Sequence, residues 1–157
     1  MMEMNHGKYF CPIETYASGA QDSVTTSTTA KVVLHFARDL SHFKFVLDIY
    51  DGHKVTMAHL HCATAGMGGT PVIFSFGKNG EAKDGMYVNE MLSDGSLTSH
   101  DLLPGDYSNM FACGVPINNI ASLYKAVLER KIYVNVHTIA HPNGEVHGQV
   151  INSCPCA

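Results

Sequence analysis

A strict two-residue alternation of apolar and polar side chains is the strongest constraint this sequence carries. In Phe43 to Tyr50, FKFVLDIY, the residues Phe43, Phe45, Leu47 and Ile49 fall on one side of an extended chain and Lys44, Val46, Asp48 and Tyr50 on the other. That period belongs to a half-buried β-strand, not to an amphipathic helix. Lys31 to Phe36, KVVLHF, alternates in the same way through Val32, Leu34 and Phe36, and the threonine-rich VTTSTTA of Val24 to Ala30 predicts an earlier start to that strand. Arg38 to His42 reads as a hairpin connection, which makes the two strands antiparallel neighbours. Asp51-Gly52 signals a turn before a further strand, Val55 to Cys62, VTMAHLHC. Ala65 to Thr70, AGMGGT, is a glycine-rich turn into Pro71 to Phe76, PVIFSF; no Lys-Ser/Thr and no helix follows, so it is not a phosphate loop. Gly77 to Asp106, punctuated by Asn79-Gly80, Asp84-Gly85 and Asp94-Gly95, predicts short strands or irregular structure. The one predicted helix runs from Asn119 to Lys131, with Ile120, Leu123, Val127 and Leu128 at helical spacing, Asn119 as a cap, and Arg130 and Lys131 at its end. Ile132 to Thr138, IYVNVHT, and Glu145 to Ile151, EVHGQVI, form the clearest hairpin, turning through His141-Pro142-Asn143-Gly144. Short alternating strands with one crossover helix describe an all-β, antiparallel sandwich or barrel-like domain, without repeats or a second domain.

Composition narrows the class of function. At 157 residues the chain suits one domain with a real core, and 45% hydrophobic with 15% charged residues is ordinary for a soluble globular protein. Ten Lys and Arg against fourteen Asp and Glu leave a formal charge of −4, with no basic block to neutralise a run of phosphates, so nucleic acid is not an expected partner. No apolar run is long enough to span a bilayer, and Met1 to Pro12 lacks the apolar region of a signal peptide, which a mature chain would have lost. Five cysteines, Cys11, Cys62, Cys113, Cys154 and Cys156, allow one or two bridges with at least one thiol left over. None forms a Cys-x-x-Cys pair, which disfavours a thiolate zinc site.

Ten histidines equal the whole Lys plus Arg count, and two of them carry the chemical argument. His59 and His61 sit two apart on a strand, so their side chains share a face with Cβ atoms about 7 Å apart. Leu60 would face the core between them. His137 alternates with Val134 and Val136, and His147 with Val146 and Gly148, so both project from the face opposite an apolar row. Centring the hairpin on Pro142 to Asn143 sets His137 roughly opposite His147. If the two strand regions adjoin, three or four imidazoles cluster, a donor set suited to copper or zinc. Met57 or Met67 would tilt the choice toward copper, because thioether is a soft ligand. The competing reading is a solvated or hydrogen-bonded group of histidines. His6, His35, His42, His53, His100 and His141 are read as ordinary.

At these residues the chain resembles the CHRD family, the domain first described in chordin. The resemblance runs from about Ala17 to Val150 and is strongest in AHLHC with AGMGGTPVIFSF, in GSLTSHDL, and in YVNVHTIAHPNGEVHGQ. It implies a Greek-key β-sandwich, immunoglobulin-like or superoxide-dismutase-like, and an extracellular or cell-surface location. It carries over His59, His61 and His137 as motif positions. Family members commonly have arginine where this chain has His147, so a fourth ligand is specific to this chain; they also have a proline-rich segment where it has Gln21 to Val24. The His-x-His pair and the later strand histidine also look like the copper ligands of copper-zinc superoxide dismutases. A bridging histidine, the zinc-ligand loop and the guiding arginine of those enzymes have no counterpart here.

The chain then divides into an N-terminal extension at 1–16, a CHRD-like sandwich at 17–151 and a cysteine-containing tail at 152–157. A Cys62 to Cys113 bridge would pin the histidine strand to the helix approach, and Cys11 could join Cys154 or Cys156; alternatively the tail thiols are free or link chains. The expected function is extracellular metal binding, sequestering or carrying copper or zinc through surface histidines His59, His61 and His137, with His147. The alternatives are a structural or interaction module, with a protein partner or a second copy, and a copper-dependent redox enzyme, the last being disfavoured.

Overall fold

The computed structural model describes residues 7–63, 70–103 and 113–152. The glycine-rich turn before Thr70, Met67, Cys154 and Cys156 lie outside them. Among the described residues, seven strands form one antiparallel sheet: β1 (Ile13–Ala17), β2 (Thr29–Phe36), β3 (His42–Cys62), β4 (Thr70–Phe76), β5 (Met86–Thr98), β6 (Ile132–Thr138) and β7 (Val146–Gln149), with helix α1 (Ile120–Leu128) between β5 and β6.

β3 organises the molecule. Its first half pairs with β2 along one edge and β5 along the other, and its second half pairs with β6 and β4. Val55 pairs with both Met86 and Thr138, which puts β5 and β6 on opposite edges. The alternation read from the sequence dictates the interior: Phe43, Phe45, Leu47 and Ile49 pair with Phe36, Leu34, Val32 and Ala30, and all eight side chains are buried. In the second half Ala58, Leu60 and Cys62 turn inward opposite Val136, Val134 and Ile132. Each large aliphatic or aromatic side chain so enclosed contributes about 1.5–3 kcal/mol relative to exposure. Ser18 and His147 exchange backbone hydrogen bonds of 3.0 Å in both directions, so β1-β2-β3-β6-β7 nearly closes into a barrel-like sandwich. A Cβ on Gly148 would overlap the backbone of Tyr16, and glycine there permits the close approach of β7 to β1.

Several elements differ from the sequence reading. Asp51-Gly52 is a bend inside one continuous 21-residue strand, not a turn between two. The β5 edge is paired through it, with Gly52 opposite Val88, while the other edge passes from β2 at Tyr50 to β6 at Val55, and the left-handed residues Asp51 (φ 51°) and Lys54 (φ 53°) absorb the change of direction. β2 begins only at Thr29, because the hydroxyls before it bond elsewhere: Ser27 to the Asp51 carboxylate, Thr28 to the Asp51 carbonyl, Thr26 to Glu145. The segment 77–106 holds the 13-residue β5, whose mostly exposed side chains leave no apolar alternation to read. β1 comes partly from the presumed extension, with Ile13 paired to Leu34.

Helix α1 starts at its asparagine cap, where the Asn119 side chain accepts from Ser122 N and the Ser122 hydroxyl bonds back. Ile120, Leu123, Ala126 and Val127 face the core, whereas Leu128 is half exposed. Cys62 and Cys113 form a disulfide with their Cα atoms 5.3 Å apart, which ties the end of β3 to the approach of this helix. Cys11 is also disulfide-bonded.

Candidate functional site

The second half of β3, with β6 and β7, presents the second face of the sheet, and the four predicted histidines meet there. His59 lies opposite Asn135 on β6, and Asn135 lies opposite His147 on β7, giving a three-strand row. His137 pairs with Met57, and His61 with Tyr133. The expected His137–His147 pairing is therefore off by two positions. The β6–β7 register, with Val136 opposite Val146 and Asn135 opposite His147, centres the hairpin on His141 and not between Pro142 and Asn143. A two-residue shift preserves the face, which is why the cluster survives the error.

The imidazole rings are in mutual contact. His59 stacks on His137 with centroids 4.7 Å apart and planes at 24°, meets His61 edge-on at 5.4 Å, and His61 lies 5.5 Å from His147. On the β4 side the ladder shifts register around His59 and between Leu60 and His61, a bulge of the kind that re-aims side chains. On the β6 side it runs regularly from Met57 to Cys62. Nor is this a surface site, as the sequence suggested. His59 is 4% and His137 9% exposed, with His61 and His147 half-buried. Every residue of β6 is buried, and the chain after it passes over its second face, with Pro142 O on His137 and Gly144 against Asn135. Gly144, at φ 121°, packs where a Cβ would collide with the Asn135 amide and the His147 ring.

Burial governs the charge state. His59 is pushed down to about 3, first by burial and then by the neighbouring His137, His61 and His147. His137 is also lowered, mainly by burial, against an opposing bond to Pro142. That bond assigns the tautomer: the carbonyl of Pro142 can only accept, so Nδ1 of His137 donates to it at 2.7 Å. Its Nε2 then carries the lone pair, and this buried nitrogen has no hydrogen-bond partner among the described residues. The Oδ1 of Asn135 is likewise buried without one. Among the described residues, no three His, Cys, Asp or Glu side chains stand in a preformed coordinating arrangement; the rings stack on one another instead.

Asn135, Pro142 and Gly144 belong to the site and escaped the sequence reading. Asparagine is depleted in strand interiors, so its place in IYVNVHT was an available signal; the Pro142 carbonyl had none. Other histidines are engaged differently: His42 with the Tyr9 hydroxyl and Ser41, His53 with Asp51, His141 beside Glu145.

A family model, that of the CHRD domain, matches residues 13–150, which take in the whole sheet and the histidine cluster. The chain belongs to the CHRD family. CHRD domains are typically extracellular and mediate protein interactions. In this CHRD domain no helix among the described residues is long and apolar enough to cross a membrane. No curated protein and no solved structure matches the chain.

Proposed function

We propose that this CHRD domain binds copper or zinc through His59, His61, His137 and His147, and that it sequesters or carries the ion outside the cell. One observation carries the reading: His137 donates Nδ1–H to a backbone carbonyl and keeps its Nε2 lone pair buried without a hydrogen-bond partner among the described residues. Metal-ligating imidazoles are oriented in this way, the outer hydrogen bond fixing the tautomer and raising ligand basicity. The lowered His59 and His137 keep both rings neutral, so an ion displaces no proton from them at neutral pH. Ligation requires the stacked rings to rotate out of mutual contact, and the neighbouring Asn135 Oδ1 supplies a further acceptor.

Metal analysis of purified protein and titration with copper and zinc test this. Bound or bindable metal is expected in the wild type, with affinity lost in His59→Ala and His137→Ala. Absence of binding, or unchanged affinity in both variants, refutes it.

A second reading makes the domain an interaction module whose histidines only brace the sheet. It is favoured by exposed Met86, Tyr87 and Ile139 around the bend of β3, where Met86 pairs with Val55 and Ile139 N bonds Lys54 O. It expects partner or self-association to survive metal stripping and to weaken in Tyr87→Ser.

A further inference from the structure

We infer that the ion this site prefers is cuprous copper, held by His59 and His137 with the Met57 thioether beside them, over zinc or cupric copper. This rests on the metal-binding reading above and adds to it the charge and softness of the ion.

The charge argument comes first. The donors the cluster offers are imidazoles and a thioether, which ligate without bringing a negative charge. Among the described residues the one buried carboxylate is Glu145, and it is committed to the hydroxyls of Thr26 and Thr138 and faces His141. Cys62 follows His61 directly but turns into the core and is bound to Cys113, so it offers no thiolate. A dication in such a site keeps its full charge. Ion desolvation scales with the square of the charge, so it costs a dication about four times what it costs a monocation in the same surroundings. His59 and His137 are the two most enclosed imidazoles, at 4% and 9% exposure, where that difference is felt most.

Coordination number and softness point the same way. Zinc in a closed protein site takes a tetrahedron of donors, and the described residues hold no three His, Cys, Asp or Glu side chains already converging. A cuprous ion, singly charged and soft, accepts as few as two or three ligands, a number that the adjoining His59–His137 pair and Met57 can meet. Met57 pairs with His137 across β3 and β6 and is half-buried on the same face. A directly opposed pair brings side chains within about 5 Å at Cβ, and thioether selects cuprous copper over zinc.

The experiment is an anaerobic titration of the full chain with cuprous ion against a chromophoric cuprous chelator, with zinc and cupric ion titrated in parallel by calorimetry. Wild type and Met57→Leu are compared, leucine being close in volume so that the fold is kept; circular dichroism checks it. The expected result is a cuprous Kd at least about 100-fold below that for zinc or cupric ion. Met57→Leu should weaken cuprous binding about tenfold and leave zinc within about twofold. Zinc or cupric ion binding as tightly as cuprous, or Met57→Leu weakening all three equally, overturns the preference while metal binding stands. Failure of every ion to bind overturns both.

Discussion

Acidifying the metal-free protein from pH 7 to pH 5 should destabilise it through His59. In the unfolded chain this imidazole titrates at its ordinary 6.5; folded, it is held at about 3 by burial first and then by the other three histidines. Between those values the unfolded state binds a proton that the native state refuses, so stability falls as the pH drops and is untouched above the unfolded value. Each pH unit inside the window is worth about 1.4 kcal/mol. The loss is therefore about 2 kcal/mol at pH 5, growing to about 5 kcal/mol near pH 3. His137, lowered for the same main reason, adds to it with the same sign. Urea denaturation at pH 7, 6 and 5, with chelator present and disulfides intact, measures the slope. His59→Gln removes the titrating group, keeps a polar side chain of similar reach, and should lose less stability than wild type across this range by about 2 kcal/mol. Equal losses in wild type and variant would refute the reasoning, since the acid sensitivity would then arise elsewhere.

Three further outcomes follow from particular contacts. Gly144→Ala should cost at least about 1–3 kcal/mol in chemical denaturation, because its φ of 121° and the facing Asn135 and His147 leave no room for a Cβ. Replacing Cys62 and Cys113 together by alanine removes a cross-link spanning 51 residues and should lower stability by about 4 kcal/mol on the chain-entropy account, read as a lower melting temperature than wild type without reductant. Glu145→Ala strands the hydroxyls of Thr26 and Thr138 and should cost about 1–3 kcal/mol; hydrogen exchange should rise first in 139–145, and uniform protection there would count against this network.

Alternation sufficed for the strands that have one buried side. Phe43, Phe45, Leu47 and Ile49 fall where their period puts them because each interior residue needs a side of its own, whereas β6 keeps its inward row but is buried on both faces, which its alternation did not show. It was silent on β5, whose side chains are mostly in water. It misread Asp51-Gly52, since the same two residues make a hairpin or a bend according to whether a neighbouring strand pairs on through them, as β5 does.

The histidine cluster divides along the same line. Parity along β3, β6 and β7 was legible in the residues and sent His59, His61, His137 and His147 to one face whatever the exact register, because a shift of two residues leaves the face unchanged. Adjacency of β3 and β6, the opposition of Asn135 to both His59 and His147, and the burial of His59 and His137 depend on a sheet closed between Ser18 and His147 and on the hairpin folded over it. Those are contacts between segments far apart in the chain, and no local period encodes them. They decide the chemistry, since imidazoles left in water would titrate near neutrality, whereas His59, enclosed here, stays neutral far into acid.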